Sequence, residues 1–365
     1  PLTLGLADEL QQRGVPVFGA SRAAARLEGS KVFAKEFMRR HAIPTAPFEV
    51  FTSLEESVAY LESSEASFPI VVKADGLAAG KGGVVAADRA EAVAAASAML
   101  SEGRFGAAGE RILIESCLTG VEVSFFAMTD GQTAAPLTTC QDYKRLGDAD
   151  KGPNTGGMGA YSPSVEMDDE QERRVLRTII EPTIRGMAVE GSPYRGVIYA
   201  GLMLTAEGPM VLEFNARFGD PETQVLMPRI ESDIVPLMMA AAGAGATLAS
   251  AMRDLRFRPG AAVCVVAASR GYPDSAEAGQ VVRGLETVKK LPDTVVFHAA
   301  TRRGADSGGR PAVLTTGGRV LAVSSTGRDL DSAIRKAYQG IECLSFEGMQ
   351  FRKDIGRGAV QRRVG

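Results

Sequence analysis

Residues 68–85 read FPIVVKADGLAAGKGGVV, an apolar run ending at Lys73 and Ala74, a loop with Gly76, Gly80, Gly82 and Gly83, and a second apolar run. A Walker-type phosphate loop needs G-x-x-x-x-G-K-[ST]. Here Gly76 and Gly80 stand one residue too close, and Gly82 occupies the place of the hydroxyl. The order that remains is a strand, a glycine-rich flap over residues 76–83, and a second strand. Such a flap suits closure over something anionic, with Lys73 at the end of the strand that feeds it.

The chain has 365 residues, enough for two or three domains with a large core. A net charge of −3 makes no case for nucleic-acid binding. Cys117, Cys140, Cys264 and Cys343 lie far apart without C-x-x-C spacing, which points to reduced thiols of a cytoplasmic protein. No basic segment leads into an apolar one at the start, so no signal peptide is expected. The stretch IVPLMMAAAGAGATLASAM has membrane-span length, but Pro236, Gly243 and Gly245 favour a packed helix ending near Gly243. Histidine occurs only at His41 and His298, and neither G-x-S-x-G nor H-E-x-x-H is present, which argues against Ser–His hydrolases and zinc proteases. His41 is expected at a helix end, beside the last carbonyls.

Local signals give the organisation. Residues 5–29 read as the tail of an α/β unit: helix GLADELQQRG, short strand VPVFG, then another short helix. Ser30 caps KVFAKEFMRRH, which stops before Pro44. Ser53 and Glu56 form a capping-box pattern, and Asp88 opens an alanine-rich helix to about Leu100. Strands RILIES, VEVSFFAMT and TAAPLTT follow, the last two joined across Asp130–Gly131. Residues 141–164 are expected to be a long irregular working surface. A helix from about Asp168 to Ala188 precedes GVIYAGLMLT and PMVLEFNAR, which pair across Glu207–Gly208. After Pro259, strands AAVCVVAAS, TVVFHAATR and RVLAVSS with helix LDSAIRKAYQGI suggest a small α+β domain.

The most specific stretch is VLEFNARFGDPETQ. Alternation on a strand puts Leu212 and Phe214 toward the core, with Glu213, Asn215 and Arg217 on the other face. A carboxylate and a carboxamide two apart are hard oxygen ligands of the kind Mg²⁺ takes. Arg217 adds a fork suited to phosphoryl oxygens. The competing reading is a solvated strand face. Against it stands Asn215, one of only two asparagines in the chain.

Three further constellations are weaker. Lys31 at a helix start and Lys73 at a strand end can neutralise phosphates, although Lys31 could equally be a surface residue. Lys81, inside the flap, reads either way. LIESCLTGVE sets Glu115 at a strand end and Glu122 just beyond a short linker; the linker's backbone could meet an adenine edge and a carboxylate a ribose. Any strand–loop–strand with two glutamates would look the same. PNTGGMGAY offers glycine amides to a small anionic substrate, preceded by Asp142 and Lys144.

Together LEGSKVFAKEFM, VVKADGLAAGKGGVV, QDYKRLGDADKGPNTGGMGAYSP, YAGLMLT, EFNARFGDPETQ, FHAATR, GGRVLAV and FRKDIG resemble the phosphoribosylamine–glycine ligase (glycinamide ribonucleotide synthetase) family of the ATP-grasp superfamily. The resemblance implies a multidomain α/β and α+β chain with the ATP-grasp fold. Residues 1–29 would be the remnant of a truncated N-terminal α/β (pre-ATP-grasp) domain. Residues 30–254 would form the ATP-grasp region, with a flap subdomain at about 46–117, and 255–365 a small C-terminal α+β domain.

The implied reaction joins glycine to 5-phosphoribosylamine through glycyl phosphate, giving glycinamide ribonucleotide, ADP and phosphate, with ATP and Mg²⁺ or Mn²⁺ as cofactors. By the same resemblance Lys31 and Lys73 hold ATP phosphates, beneath a flap of Gly76, Gly80, Lys81, Gly82 and Gly83. The backbone of Glu115, Ser116, Cys117 and Leu118 frames adenine, and Glu122 takes the ribose. Glu213 and Asn215 bind the metal. Arg217 and Asp220 are the catalytic candidates. Asp142, Lys144, Asn154, Thr155, Gly156, Gly157 and Gly159 meet the other substrates. A cytoplasmic monomer without nucleic-acid or membrane partners is expected. The chain departs from the family in lacking the initial strand and G-N-G-G-R-E-H turn, and YAGLMLT supplies no second metal carboxylate. Two alternatives stay open: another ATP-grasp carboxylate–amine ligase, or a non-catalytic ATP-binding fragment.

Overall fold

The two runs that flank the glycine loop are strands, Ile70–Ala74 and Gly83–Ala86, paired antiparallel with Lys73 opposite Gly83. The computed structural model describes residues 1–76, 82–101 and 109–364. They divide into two units. Pro1–Leu137, Glu166–Phe218 and Ile234–Asp254 make up the first, and Thr138–Val165, Gly219–Asp233 and the residues from Leu255 onward the second. The segments Thr138–Val165 and Gly219–Asp233, read from the sequence with the 30–254 region, are thus grouped with the C-terminal residues.

In the first unit, Phe48–Phe51, Ile112–Ser116, Ile70–Ala74 and Gly83–Ala86 form an antiparallel sheet in that order. Alternation along Ile70–Ala74 buries Ile70, Val72 and Ala74 and leaves Val71 and Lys73 on the opposite face. The buried side packs against Leu61 of helix Leu54–Glu62 and Ala92, Ala96 and Met99 of helix Arg89–Leu100. Both helices start at the expected caps, Ser53 accepting from Glu56 N and Asp88 from Glu91 N.

A second set of antiparallel strands in this unit comprises Gly208–Asn215, Gly196–Thr205 and Val121–Thr129. Phe125, Ile198 and Phe214 of this set pack against Phe37 and Met38 of helix Lys31–Arg40 and against Ile179, Ile184 and Met187. Each large side chain buried in this way contributes roughly 1.5–3 kcal/mol. Ser30 Oγ caps the Lys31–Arg40 helix by accepting from Phe33 N at 3.1 Å.

In the second unit, Gly159–Ser162, Ala261–Ala268, Arg319–Gly327 and Thr294–His298 are successive antiparallel strands. Helix Leu330–Glu342 covers them with Ala333, Ile334, Ala337, Tyr338 and Ile341, an i, i+3/i+4 stripe, packed against Val263, Val265 and Val323. A three-stranded sheet, Val281–Val282, Pro311–Thr315 and Thr301–Ala305, completes the α+β arrangement.

Several local expectations are corrected. VPVFG forms no strand. TVVFHAATR is two strands, Thr294–His298 and Thr301–Ala305, which pair in different sheets. The helix from Asp168 contains a π-helical turn, Leu176–Ile180, beside Pro182, which has no amide to donate. Residues 141–164 are largely ordered: Arg145–Gly147 pairs with Lys151–Asn154, and Gly159–Ser162 is the strand already described. As expected, the apolar stretch after Asp233 folds as a helix, Val235–Ala241, that ends just before Gly243. No described helix is long and apolar enough to cross a membrane.

Helix Lys31–Arg40 is tied to the four-stranded sheet by charge as well as packing. Lys35 Nζ lies 2.5 Å from Glu115 Oε2, both side chains being 3% exposed, and Lys73 Nζ pairs with Glu115 Oε1. Burial pushes the Glu115 carboxyl up, but Lys73 and Lys35 together outweigh it and hold the group below the usual carboxylate range. A carboxyl lowered on folding stabilises the fold above its unfolded pKa of about 4.3, and the contribution fades as pH falls through the lower folded value. Glu115→Gln is therefore expected to cost on the order of 3 kcal/mol at neutral pH. In paired urea melts the gap between wild type and variant should hold steady from about pH 5.5 to 7 and shrink below about pH 4.3. A gap that widens on acidification would contradict the pairing.

Candidate functional site

The site in the first unit is built on the sheet faces that carry Lys73, Glu115, Glu213 and Asn215. Strand pairing sets Glu115 opposite Val71, so Lys73, two residues on, meets Glu115 diagonally on the same face. Lys31 is the first residue of its helix, and its Nζ donates to Gly76 O at 2.6 Å. Burial pushes the Lys31 ammonium down, opposed by the nearby Glu213, Asp75 and Glu115 carboxylates and reinforced by Lys73. Lys31, Lys73, Glu115 and Glu213 therefore share one electrostatic neighbourhood. Burial likewise pushes Lys35 down against the pull of Glu115.

Asp75 fixes the base of the flap. Its carboxylate accepts from Ser30 Oγ, Val32 N, Gly76 N and Arg111 Nη2, the last at 2.5 Å. One buried carboxylate thus joins the helix start, the strand end and the first flap glycine. Gly82 O accepts from Ala74 N at 2.8 Å on the other side of the flap. Gly80 and Lys81 lie outside the described residues.

The Glu213 strand differs from the simple alternation. The register with Gly196–Thr205 shifts between Gly201 and Leu202, leaving Leu212 as a bulge. Val211 and Phe214 are both in the core, whereas Leu212 is only half-buried. The bulge corrects the expectation that Leu212 and Phe214 share the inner face. Beyond it the alternation resumes: Phe214 and Ala216 point inward, and Glu213, Asn215 and Arg217 outward. Glu213 stands opposite Gly201, whose missing side chain leaves the carboxylate uncovered, since a Cβ there would come within 3.3 Å of Glu213 Cγ.

Asn215 is nearly buried, and its Oδ1 accepts from Arg217 Nη2 at 3.2 Å. Arg217 Nε donates to Glu28 Oε1 at 3.1 Å, and Glu28 Oε2 accepts from Ala216 N at 2.7 Å. On the same outward face Ser124 hydrogen-bonds Tyr199, and Glu122 lies opposite Met203. Ser116 is exposed and Cys117 and Leu118 are half-buried.

The carboxylate of Glu213 and carboxamide of Asn215 fit a divalent cation whose remaining ligands are phosphate and water. Among the described residues no cluster of three or more His, Cys, Asp or Glu side chains offers a fuller cage.

The remaining candidates lie in the second unit. Lys144 O accepts from Thr155 N and Thr155 Oγ1, both at 2.8 Å, and Gly156 N donates to Tyr272 Oη at 2.9 Å. Gly157 has φ +113°, and a Cβ there would stand 2.3 Å from Pro221 Cδ, so only glycine fits. Gly159 begins a strand, Asp142 ends one, and Asn154 is exposed at the end of Lys151–Asn154. Arg319 binds this loop to Asp220: Nη1 donates to Gly156 O and Asp220 O, and Nη2 to Asp220 Oδ2, each at 2.8 Å.

Sequence reasoning missed Lys35, Asp75, Arg111 and Glu28 in the first unit, and Tyr272 and Arg319 in the second. Lys35 was within reach, lying four residues after Lys31 and so on one helix face. Arg319 carries no local signal, because its partners are more than ninety residues away in sequence.

Residues 29–223 match the family model described as phosphoribosylglycinamide synthetase, ATP-grasp (A) domain, and residues 262–358 that of the C domain. Phosphoribosylamine–glycine ligases of Allochromatium vinosum and Caulobacter vibrioides are each 50% identical over 99% of this chain and 82% of their own length. The crystal structure of phosphoribosylamine–glycine ligase from Thermotoga maritima superposes with a TM-score of 0.82 at 37% identity, covering 93% of this chain and 81% of that one. Biotin carboxylase from Campylobacter jejuni, at 14% identity, shares the fold with a TM-score of 0.69 over 94% of this chain and 73% of its own. The chain belongs to the phosphoribosylglycinamide synthetase family and has its ATP-grasp fold.

Proposed function

We propose that the chain is an ATP-dependent carbon–nitrogen ligase of purine biosynthesis that joins glycine to 5-phosphoribosylamine, giving glycinamide ribonucleotide, ADP and phosphate. Membership of the family supports the reaction class. The observation that carries the site is the placing of Lys73 on Glu115 and of Lys31 on the carbonyl of Gly76 at the flap base, with Glu213 exposed opposite Gly201.

Glycine's carboxylate oxygen bonds to the γ-phosphorus as ADP leaves, giving glycyl phosphate. The amine nitrogen then bonds to the carbonyl carbon, phosphate departs, and the amine gives up a proton. Both steps call for positioning and charge neutralisation rather than a protein nucleophile. Lys31 and Lys73 neutralise phosphate oxygens. Three of Arg217's N–H groups bond Glu28, Asn215 and the carbonyl of Phe218, which orients the guanidinium and leaves two N–H groups for the transferred phosphoryl. Glu213 and Asn215 hold a divalent ion, Mg²⁺ or Mn²⁺, which supplies charge neutralisation at the phosphates.

Residues 115–118 frame adenine, and Glu122 receives the ribose. The loop of Asn154, Thr155, Gly156, Gly157 and Gly159, with Asp142, Lys144 and Asp220, receives glycine and the phosphorylated amine. Burial pushes the Cys140 and Cys264 thiols up, Cys264 to about 12, so neither is poised as a nucleophile. His41 is engaged by Glu190 at 2.8 Å. Four free thiols suit a cytoplasmic enzyme, and we take it to be a monomer.

With ATP and Mg²⁺, ADP release is expected only when glycine and freshly made phosphoribosylamine are both present. Release with a different acid would instead favour another carboxylate–amine ligase of the superfamily. Glu213→Gln and Arg217→Ala are each expected to lower kcat at least about a hundredfold with unchanged circular dichroism. Near-normal turnover in either would remove its assigned role. Lys73→Met is expected to weaken ATP binding about tenfold or more in calorimetry, the scale of one lost charge-assisted contact.

A further inference from the structure

Lys35 and Lys73 share one carboxylate but are held in different ways. Lys35 Nζ has three protein partners: Glu115 Oε2 at 2.5 Å, Thr45 Oγ1 at 2.7 Å and Ala46 O at 3.4 Å. Two are hydrogen bonds and the Glu115 contact is an ion pair, and the side chain is 3% exposed. Lys73 has Glu115 as its ion-pair partner and is 17% exposed. The network continues past Lys35: Thr45 Oγ1 donates to Val211 O at 2.7 Å, and Val211 N donates to Pro44 O at 2.8 Å. Val211 directly precedes the bulge that turns Glu213 outward. Lys35 therefore braces the Glu115 strand and the Glu213 strand at once.

A carboxylate as buried as Glu115 cannot give up its sole counter-ion without a large desolvation penalty. With two ammonium groups on it, one can leave. Lys35 is held by burial, two hydrogen bonds and the ion pair, whereas Lys73 has a side chain that reaches the surface on a flexible stem.

We propose that Lys35 is a positioning residue, the fixed counter-ion of Glu115, whose constant presence lets Lys73 exchange between Glu115 and the phosphates of a nucleoside triphosphate. This inference rests on the reading of Lys73 as a phosphate ligand. On this account the protein keeps Glu115 paired before and after nucleotide binding, and only Lys73 changes partner. A merely structural Lys35–Glu115 pair would affect folding stability but not the affinity for ATP.

The test uses the full chain, ATP–Mg²⁺ titrated in a calorimeter, and steady-state KM values for ATP and glycine. Lys35→Met leaves Lys73 as the only counter-ion of a buried carboxylate, so the ATP Kd should rise about tenfold or more while the glycine KM changes less than about twofold. Adding Glu115→Gln removes the carboxylate that detains Lys73. In Lys35→Met/Glu115→Gln the ATP Kd should return to within about threefold of wild type.

A Lys35→Met protein with a lowered melting temperature and wild-type ATP affinity would overturn the proposal. So would a double variant that regains stability without regaining affinity. Should Lys35→Met not fold, the double variant is compared with Glu115→Gln alone. The proposal requires the two to bind ATP alike, and a gap of about tenfold overturns it. Wild-type ATP affinity in Lys73→Met would overturn both this proposal and the phosphate role of Lys73, and that failure is distinguishable because it involves no change at Lys35.

Discussion

One buried carboxylate organises the first unit. Glu115 lies between two ammonium groups, one fixed on a helix and one at the end of a strand beside the flap. Burial alone would drive this carboxyl toward protonation, and the paired lysines outweigh that tendency. Once it is ionised, helix Lys31–Arg40 and strand Ile70–Ala74 are held to the same point. The flap base, fixed by Asp75, and the Glu213 strand, reached through Thr45, take their places around it. The place of the residues proposed to receive the nucleotide is a consequence of how this charge is satisfied.

The second unit uses the opposite sign for a similar purpose. Arg319 donates to carbonyls of the glycine loop and to both the carbonyl and the carboxylate of Asp220. Glycine is required at position 157 because the backbone turns with positive φ against Pro221. Backbone amides can then be offered to a small anion without side chains in the way. Fixed charges hold each unit's working backbone, so little is left to loop flexibility, in keeping with chemistry that depends on placement.

Much of this was legible in local sequence. Ser30, Ser53 and Asp88 mark helix starts because a cap needs only its own first turn. The glycine spacing excludes a Walker loop, and EFNAR announces the alternation that turns Glu213 and Asn215 outward. Three of the errors share one cause. The bulge at Leu212, the break in TVVFHAATR and the ordering of residues 141–164 all depend on partners distant in sequence. Helical spacing links Lys31 to Lys35, but nothing local says that Lys35 will be buried on Glu115.

The sequence by itself determined which groups are available: lysines at element ends, a carboxylate and carboxamide two apart, and glycines gathered in two stretches. These follow from periodicity and covalent chemistry, which act over a few residues. The tertiary structure alone decided which lysine is free to leave its partner and which is fixed. That distinction depends on burial, on two hydrogen bonds to Thr45 and Ala46 and on an ion pair with a strand far along the chain, and no run of neighbouring residues encodes it.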